Sequence, residues 1–410
     1  MRCIELFTGI GGSALGVARA GVTHILAIER DPSAINALKR NRTHFAQLDC
    51  SLEISHSDVA DITERNLGCN WDILVAGSPC QPFSISGKQH GHEDERNGLK
   101  HVLRIAKQIR PKCIVLENVA GLASPKFRAY FSNLLEGLRT CGTPSRSTGR
   151  KHNGSRAGHI DSDLYEVHWT ILESADFGIP QMRRRIFVVC LRRPDIVSPF
   201  VFPPASHSYE TLVRHQVEDG IYWREHSILP PPIFRSFVPE RSISNGDEPP
   251  PLDRWVTLRD ALRVLRGADL PGNDPWHVLR KGARIYHGHT GSLLDLPSKT
   301  IKAGVHGVPG GENMIRISWR RARYLTVREC GLIQGFPLTY QFSDKFSTSM
   351  RLIGNAVPAA LAEAVIRVAL KSISCNGQAF TGNGRTQSEA ASTHGERRFG
   401  FSSPVWSGGR

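Results

Sequence analysis

A chain of 410 residues carries 52 Lys and Arg against 38 Asp and Glu, a formal charge of +14, with an isoelectric point near 9.6. The length accommodates two domains of ordinary size, a hydrophobic content of 40% supports real cores, and the basic balance fits a polyanionic partner such as nucleic acid. Nine cysteines without a single C-x-x-C pair argue against a zinc pattern and a disulfide framework, so no metal site is expected and a reducing cytosol is. The chain opens on Ile4-Glu5-Leu6-Phe7 without a basic leader, and no apolar run reads as a membrane span; a cytoplasmic protein with no membrane partner is the expectation.

The first third alternates between strands and helices. Cys3 to Phe7 reads as a buried parallel strand, followed by the glycine loop Thr8-Gly9-Ile10-Gly11-Gly12 and a helix from Ser13 to about Ala20, with Gly21 as its stop. His24 to Ile28 reads as a second strand ending at Glu29. The interval from Gly9 to Glu29 matches the roughly 20 residues between a nucleotide-binding glycine loop and the acid that holds ribose hydroxyls. Asp31 can cap a helix beginning at Pro32, and Asp58-Val59 follows a weaker third strand. The apolar run Ile73-Leu74-Val75-Ala76 leads through Gly77 into Ser78-Pro79-Cys80-Gln81. A helix from about Leu99 to Ile109 precedes the strand Cys113 to Leu116, which leads into Glu117-Asn118-Val119. This is the pattern of a doubly wound α/β sheet. In a parallel sheet the two strand ends open into one cleft, which brings the Cys80 thiol, a candidate nucleophile, to the Glu117 carboxylate. The glycine loop alone leaves two other readings open: Gly9-x-Gly11-x-x-Ala14 also satisfies a looser NAD fingerprint, and glycines also serve a tight turn.

Thr140 to Gly158 is rich in Ser, Gly and Thr, and carries Arg146, Arg150, Lys151 and Arg156 without an acid. It reads either as a disordered surface loop or as a basic loop along a phosphate backbone. Gln181-Met182-Arg183-Arg184-Arg185 runs directly into the apolar strand Ile186 to Leu191, so at least one guanidinium should point into the cleft. From Pro194 to Ile315 the alternation is lost amid prolines, and Arg316 to Arg328 is again basic. A helical segment from Thr326 leads to Gln334-Gly335-Phe336-Pro337. Gly354-Asn355-Ala356-Val357-Pro358 then introduces an apolar helix from Ala359 to about Leu370. The stretch after Ser372 is Gly/Ser/Thr-rich and expected to be disordered.

These blocks, in this order, resemble the DNA (cytosine-5)-methyltransferases of bacterial restriction-modification systems. The matching residues are Phe7 to Gly12, Glu29, Asp58, Pro79-Cys80-Gln81, Glu117-Asn118-Val119, Gln181 to Arg185, Arg323 through Pro337, and Gly354 to Pro358. The resemblance implies a Rossmann-like S-adenosylmethionine-dependent methyltransferase domain over residues 1–193, completed by 346–371. It also implies a smaller target-recognition domain over 194–345 and leaves 372–410 as a tail. It further implies double-stranded DNA as partner, functional pairing with a restriction endonuclease, and a monomer. An NAD-linked oxidoreductase would explain the glycine loop but not the other blocks. A transfer-RNA methyltransferase of the same superfamily would carry a Cys-Phe-Thr signature, which is missing. A catalytically dead relative would have lost Cys80 or Glu117.

By the same resemblance, Cys80 adds to carbon 6 of cytosine to make carbon 5 nucleophilic. Glu117 supports ring nitrogen 3 and the amine, and Arg185, with Arg183, holds the carbonyl at carbon 2. Phe7, Gly9, Gly11, Gly12, Glu29, Asp58, Val59, Pro79, Leu99, Asn355 and Val357 would bind S-adenosylmethionine, with Glu29 on the ribose and Asp58 on the adenine amine. Gln81, Ser84, Ser86, Lys88 and Arg323 would contact DNA. The loop from Gln81 to about Gly98 would close on a flipped-out base, with Ser86 a candidate to fill the vacated space.

Overall fold

The apolar runs of the first third become the centre of a seven-stranded sheet. The computed structural model describes residues 1–68, 70–79, 98–141, 163–231, 252–266, 274–287, 289–303 and 313–374. In chain order the elements are β1 (Arg2–Leu6), α1 (Gly12–Arg19), β2 (His24–Glu29), α2 (Pro32–Arg40), α3 (Arg42–Ala46), β3 (Ser51–His56), α4 (Glu64–Leu67), β4 (Ile73–Gly77), α5 (Leu99–Ile109), β5 (Cys113–Val119), α6 (Arg128–Thr140), β6 (Tyr165–Glu173) and β7 (Arg184–Arg192). The strands lie in the order β3-β2-β1-β4-β5-β7-β6. The first five are parallel, and β7 runs antiparallel to both β5 and β6. This is the doubly wound α/β architecture that the strand-helix alternation predicts.

Period-two alternation along the buried strands feeds two cores. Cys3, Val75, Val115 and Val189 face the layer holding α1. Ile4, Leu6, Leu74, Ala76 and Leu116 face the other layer, where α5 presents Val102, Ile105 and Ala106 and α6 presents Phe131, Leu134 and Leu138. Local signals set the boundaries. Asp31 accepts from the Ser33 N–H at 2.8 Å and caps α2, with Pro32 at its first position. Gly21, at φ +97°, follows the end of α1 in the left-handed region that favours glycine.

Beyond β7 the elements are short: β8 (His207–Ser208), α7 (Tyr209–Val213), α8 (Ile221–Glu225), β9 (Asp253–Arg254), α9 (Leu258–Leu262), β10 (Ser292–Leu293), β11 (Met314–Arg316) and β12 (Ala322–Tyr324). Leu212, Tyr222 and Trp223 form a small core of their own. It is bordered by buried polar groups: the Tyr222 hydroxyl donates to Asp295 at 2.9 Å, and Arg259 pairs with the same carboxylate at 2.6 Å. The chain then forms α10 (Val327–Ile333), α11 (Phe346–Asn355) and α12 (Ala359–Lys371). Thr326 and Glu329 make a reciprocal capping box on α10.

One expectation needs correction. Phe346–Lys371 is long and apolar enough to pass as a membrane span, whereas the sequence reading expects no such run. It is two helices, interrupted at Ala356, Val357 and Pro358, and most of it is buried inside the protein. Its apolar character is accounted for by packing against α1 and the sheet.

That packing depends on Gly16. A Cβ there would lie 2.5 Å from the Ala359 carbonyl oxygen and 2.7 Å from the Ala362 Cβ. Gly16→Val should therefore push α12 off α1 and destabilise the protein by about 1–3 kcal/mol or more. A thermal melt reads this directly, and a melting temperature equal to that of the wild type would rule out close α1–α12 contact as the reason for glycine.

Candidate active site

Brought together by the carboxyl ends of β1, β2, β4 and β5, a cavity of about 420 Å³ opens where the strand order reverses between β1 and β4. Its walls include Phe7, Gly9, Glu29, Asp58, Val59, Pro79, Glu117, Arg183, Arg185, Asn355 and Val357. Eleven residues singled out from the sequence thus share one cavity, although Asn355 and Val357 arrive from the far end of the chain. Arg351 pairs with Asp31 at 2.6 Å across this junction, and both line the cavity.

The loop after β1 is shaped by backbone conformation. Phe7, Gly9 and Gly11 have φ of 58°, 58° and 85°. For Phe7 this is a sparsely populated conformation, of the kind that clusters at functional sites. Its ring packs on the start of α5, since a Cβ at Gly98 would sit 2.7 Å from it. Gly11 and Gly12 are not among the cavity-lining residues. A Cβ at Gly11 would meet Leu38 at 2.7 Å, and one at Gly12 would meet the Val357 carbonyl oxygen at 2.3 Å. These two glycines admit neighbouring elements behind the loop. Leu99 is likewise buried in the adjoining core rather than on the cavity wall.

Besides Asp31, four acids face the cavity, each held differently. Glu29 accepts from the Gly9 N–H at 2.8 Å with one oxygen, and from the Arg30 and Asp31 N–H groups at 2.8 Å with the other. Asp58 accepts from Ala60 N–H at 2.9 Å and pairs with Arg30 at 2.7 Å. The Ala60 amide, and then Arg30, hold its carboxyl below the usual range. Glu117, at the end of β5, pairs with Arg185 Nε at 2.9 Å. Burial pushes the Glu117 carboxyl up, against the opposing pull of Arg185 and Arg183. Gly77 stands opposite Glu117 in the β4–β5 register, and Asn118 donates to the Ser78 carbonyl at 3.2 Å and hydroxyl at 3.0 Å. These contacts tie the two strand ends together beside Pro79. Cys80 lies outside the described residues, as do Gln81, Ser84, Ser86 and Lys88, the basic segment within 142–162 and the tail from 375.

Glu5 is the fourth acid, and sequence reasoning overlooked it. It is buried on β1, lines the cavity, and its Oε2 meets no donor among the described residues. Burial pushes its carboxyl up to about 8, against the Ser13 hydroxyl and with a further push from Glu29. The available signal was an acid in an otherwise apolar strand. Arg30 was also missed; an arginine directly after the ribose-binding candidate Glu29 was the clue to it.

Two of the arginines singled out from the sequence are engaged by protein partners. Arg183 touches the cavity, but its guanidinium is buried and donates to the carbonyls of Ile301 at 3.3 Å, Gly354 at 2.9 Å and Ala356 at 3.1 Å. It fastens backbone segments together, and Arg185 is the member of the block that reaches the Glu117 acid. Arg323 is engaged by both oxygens of Glu329, at 2.6 and 2.7 Å, and lines no part of the cavity.

The Glu5 geometry has a pH signature. Its carboxyl is raised in the fold, so its favourable neutral state contributes fully below about pH 4.5, and this contribution is lost as pH rises through about 8. Glu5→Gln should leave stability nearly unchanged in buffer below about pH 4.5. In alkaline buffer it should stabilise the ligand-free protein by about a few kcal/mol. Thermal melts across this range are the check; a constant difference between the two proteins would contradict burial of an ionisable Glu5.

The chain matches the family described as C-5 cytosine-specific DNA methylase over residues 1–143, 156–233 and 257–371. It is 28% identical over 382 residues to the Type II methyltransferase M.NgoMIV of Neisseria gonorrhoeae, covering 90% of this chain and 97% of that protein. It is 29% identical over 370 residues to M.NgoBI of the same organism, covering 90% and 92%. Among solved structures, Dnmt2 methyltransferase of S. pombe superposes with a TM-score of 0.55 at 18% identity, covering 90% of this chain and 98% of that one. EhMeth, a methyltransferase of Entamoeba histolytica, gives 0.54 at 16%, covering 90% and 98%. The two structures establish likeness of fold.

Proposed function

The chain belongs to the C-5 cytosine-specific DNA methylase family and is a DNA (cytosine-5-)-methyltransferase, and from that premise we propose that it methylates a flipped-out cytosine in a specific duplex sequence through a covalent Cys80 adduct. The observation that carries this reading is the shared cavity: Glu29 and Asp58 line it together with Pro79, the Glu117–Arg185 pair and Val357.

The residues fit S-adenosylmethionine, which supplies an electrophilic methyl group when bound. The cavity volume lies in the range of small-ligand sites, roughly 300–1,000 Å³. Glu29, fixed by three backbone donors, would hold the ribose hydroxyls, and Asp58 the adenine amine. Phe7, Val59, Pro79, Asn355 and Val357 would line the remainder. Glu5 offers a buried carboxylate oxygen to a cationic group, and the cofactor carries an ammonium and a sulfonium. An acid with that oxygen unmatched gains most from a positive ligand.

For the base, the Cys80 thiolate adds to carbon 6, and the ring electrons move to carbon 5. Glu117, favoured in its protonated form by burial, donates to ring nitrogen 3 as negative charge develops, and accepts from the exocyclic amine. Arg185, locked in orientation by Glu117, faces the carbonyl at carbon 2. Carbon 5 would then take the cofactor's methyl group, leaving S-adenosylhomocysteine; loss of its proton to water would let the carbon–sulfur bond break and release the Cys80 thiolate. The division into a catalytic domain of 1–193 with 346–371 and a recognition domain of 194–345 belongs to the same proposal. So do the monomeric state and the DNA contacts of Gln81, Ser84, Ser86 and Lys88. Pairing with a restriction endonuclease is supported by the names of the Type II relatives.

Bisulfite sequencing of DNA from cells expressing the chain should reveal 5-methylcytosine within one recurring sequence. A duplex carrying 5-fluorocytosine at that position should trap the wild-type protein covalently when S-adenosylmethionine is present. Cys80→Ala should form no adduct and lose essentially all turnover; an adduct with this variant would sink the mechanism.

Calorimetry without DNA tests the cofactor pocket. Glu29→Ala should weaken S-adenosylmethionine binding by roughly 10–100-fold, as expected for loss of hydrogen bonds to a charged acceptor. Tight binding of NADH in place of S-adenosylmethionine would move the protein to the oxidoreductase reading.

A further inference from the structure

The hairpin of β11 and β12 takes no part in the cavity, yet it is firmly built. Met314, Ile315 and Leu325 are buried, and Ile315 stands between Ser292 and Arg323 in the small sheet. Asn313 exchanges two hydrogen bonds with the Lys302 backbone, both 3.0 Å. Lys302 follows Ile301, whose carbonyl Arg183 holds, so the hairpin grows from the same wall that supports the cavity. Its tip is closed by the Ile317 and Ser318 N–H groups, which donate to the Arg321 carbonyl at 2.8 and 3.1 Å.

What the tip displays is unusual for a solvated turn. Trp319 is 54% exposed and Ile317 47%. Arg320 and Arg321 are exposed beside them, and the Arg316 guanidinium lies 5.1 Å from the Trp319 ring centre. No tryptophan among the described residues is more exposed. From Asn313 to Arg328 the sequence contains no acid. Arg323, which the sequence put forward for DNA contact, is engaged by Glu329 at the base of the hairpin. That leaves Arg320 and Arg321 as the outward cations.

A large apolar ring held in water on a rigid turn marks an interaction site more often than a packing fault. Here the Arg316 guanidinium lies over the ring, and the adjacent Arg320 and Arg321 are exposed. Its complement must offer negative charge and flat or apolar surface together, as nucleic acid does through phosphates, sugars and bases. We propose that the 316–321 tip is a duplex-DNA contact. Arg320 and Arg321 neutralise phosphates, and Trp319 enters a groove flanking the methylated site. The contact adds affinity and holds the duplex in register, with no claim on which bases are read. The inference rests on the chain acting on DNA; it is independent of the Cys80 mechanism.

The test uses the full chain and a short duplex, with S-adenosylhomocysteine calorimetry on each variant to verify the fold. The Arg320→Ala/Arg321→Ala double variant should bind S-adenosylhomocysteine like the wild type and the duplex roughly tenfold more weakly at low salt. The slope of log affinity against log salt should be shallower by about 2, one for each phosphate that the variant leaves unneutralised. Adding duplex should quench part of the wild-type fluorescence, which comes from 7 tryptophans. That part should vanish in Trp319→Phe, a variant that leaves all the arginines in place. An unchanged salt slope together with an unchanged quench in Trp319→Phe would overturn the proposal. Trp319 quenching by anionic lipid vesicles but not by duplex would overturn it as well. If the wild-type chain bound no duplex, the DNA assignment would fall, and this contact with it.

Discussion

One buried guanidinium holds the back of the site together. Arg183 is almost wholly removed from water and meets carbonyls from Ile301, Gly354 and Ala356. Removing such a charge from water is costly unless its donors are matched. The three acceptors are therefore required neighbours: the strand block, the segment around Ile301 and the turn between α11 and α12 must converge. Gln181 reinforces this, giving its amide to Gln334 at 2.7 Å and accepting from Ile301 N–H at 3.0 Å, while Gln334 donates to the Ala356 carbonyl. A buried polar network of this kind favours one arrangement over its alternatives.

Against that fixed wall the acids of the cavity form a graded series. Glu29 is saturated by backbone donors, Asp58 is held by Arg30 at the rim, Glu117 is coupled to Arg185 in a buried pocket, and Glu5 has one oxygen unmatched. The same functional group thus occupies four electrostatic settings within one cavity. Environment decides which acid accepts hydrogen bonds and which is favoured in its protonated form.

Much of this was legible in the sequence. The buried strands announce themselves by continuous apolar runs, and Asp31-Pro32 and Thr326 with Glu329 announce helix starts. The cavity acids Glu29, Asp58 and Glu117 stand out because each lies at the end of such a run or just beyond one. Other features left weaker marks. The edge strand β6 mixes exposed and half-buried residues, and Trp169 faces solvent, so it lacks a clean period. Residue type also does not reveal which partner a side chain has. Arg183 and Arg185 look equivalent in sequence, yet one fastens backbone and the other meets Glu117. Gly11 and Gly12 resemble ligand-cradling glycines, yet the clashes a side chain would cause there are with the protein's own elements. Glu5 escaped attention because its position inside an apolar strand suggested only a core.

The cavity is walled by residues made far apart in the course of translation. Asp31 finds Arg351 across 320 residues of sequence, and α12 packs closely on α1 at Gly16. At a synthesis rate of about 5–20 residues per second, the first wall stands for tens of seconds before its counterpart leaves the ribosome. A nascent chain therefore passes most of its synthesis with the glycine loop formed in sequence but unbacked by Val357. The cavity is complete only after the segment around Val357 has been made. Contacts this distant in sequence are the kind that slow folding, and here one of them completes the site.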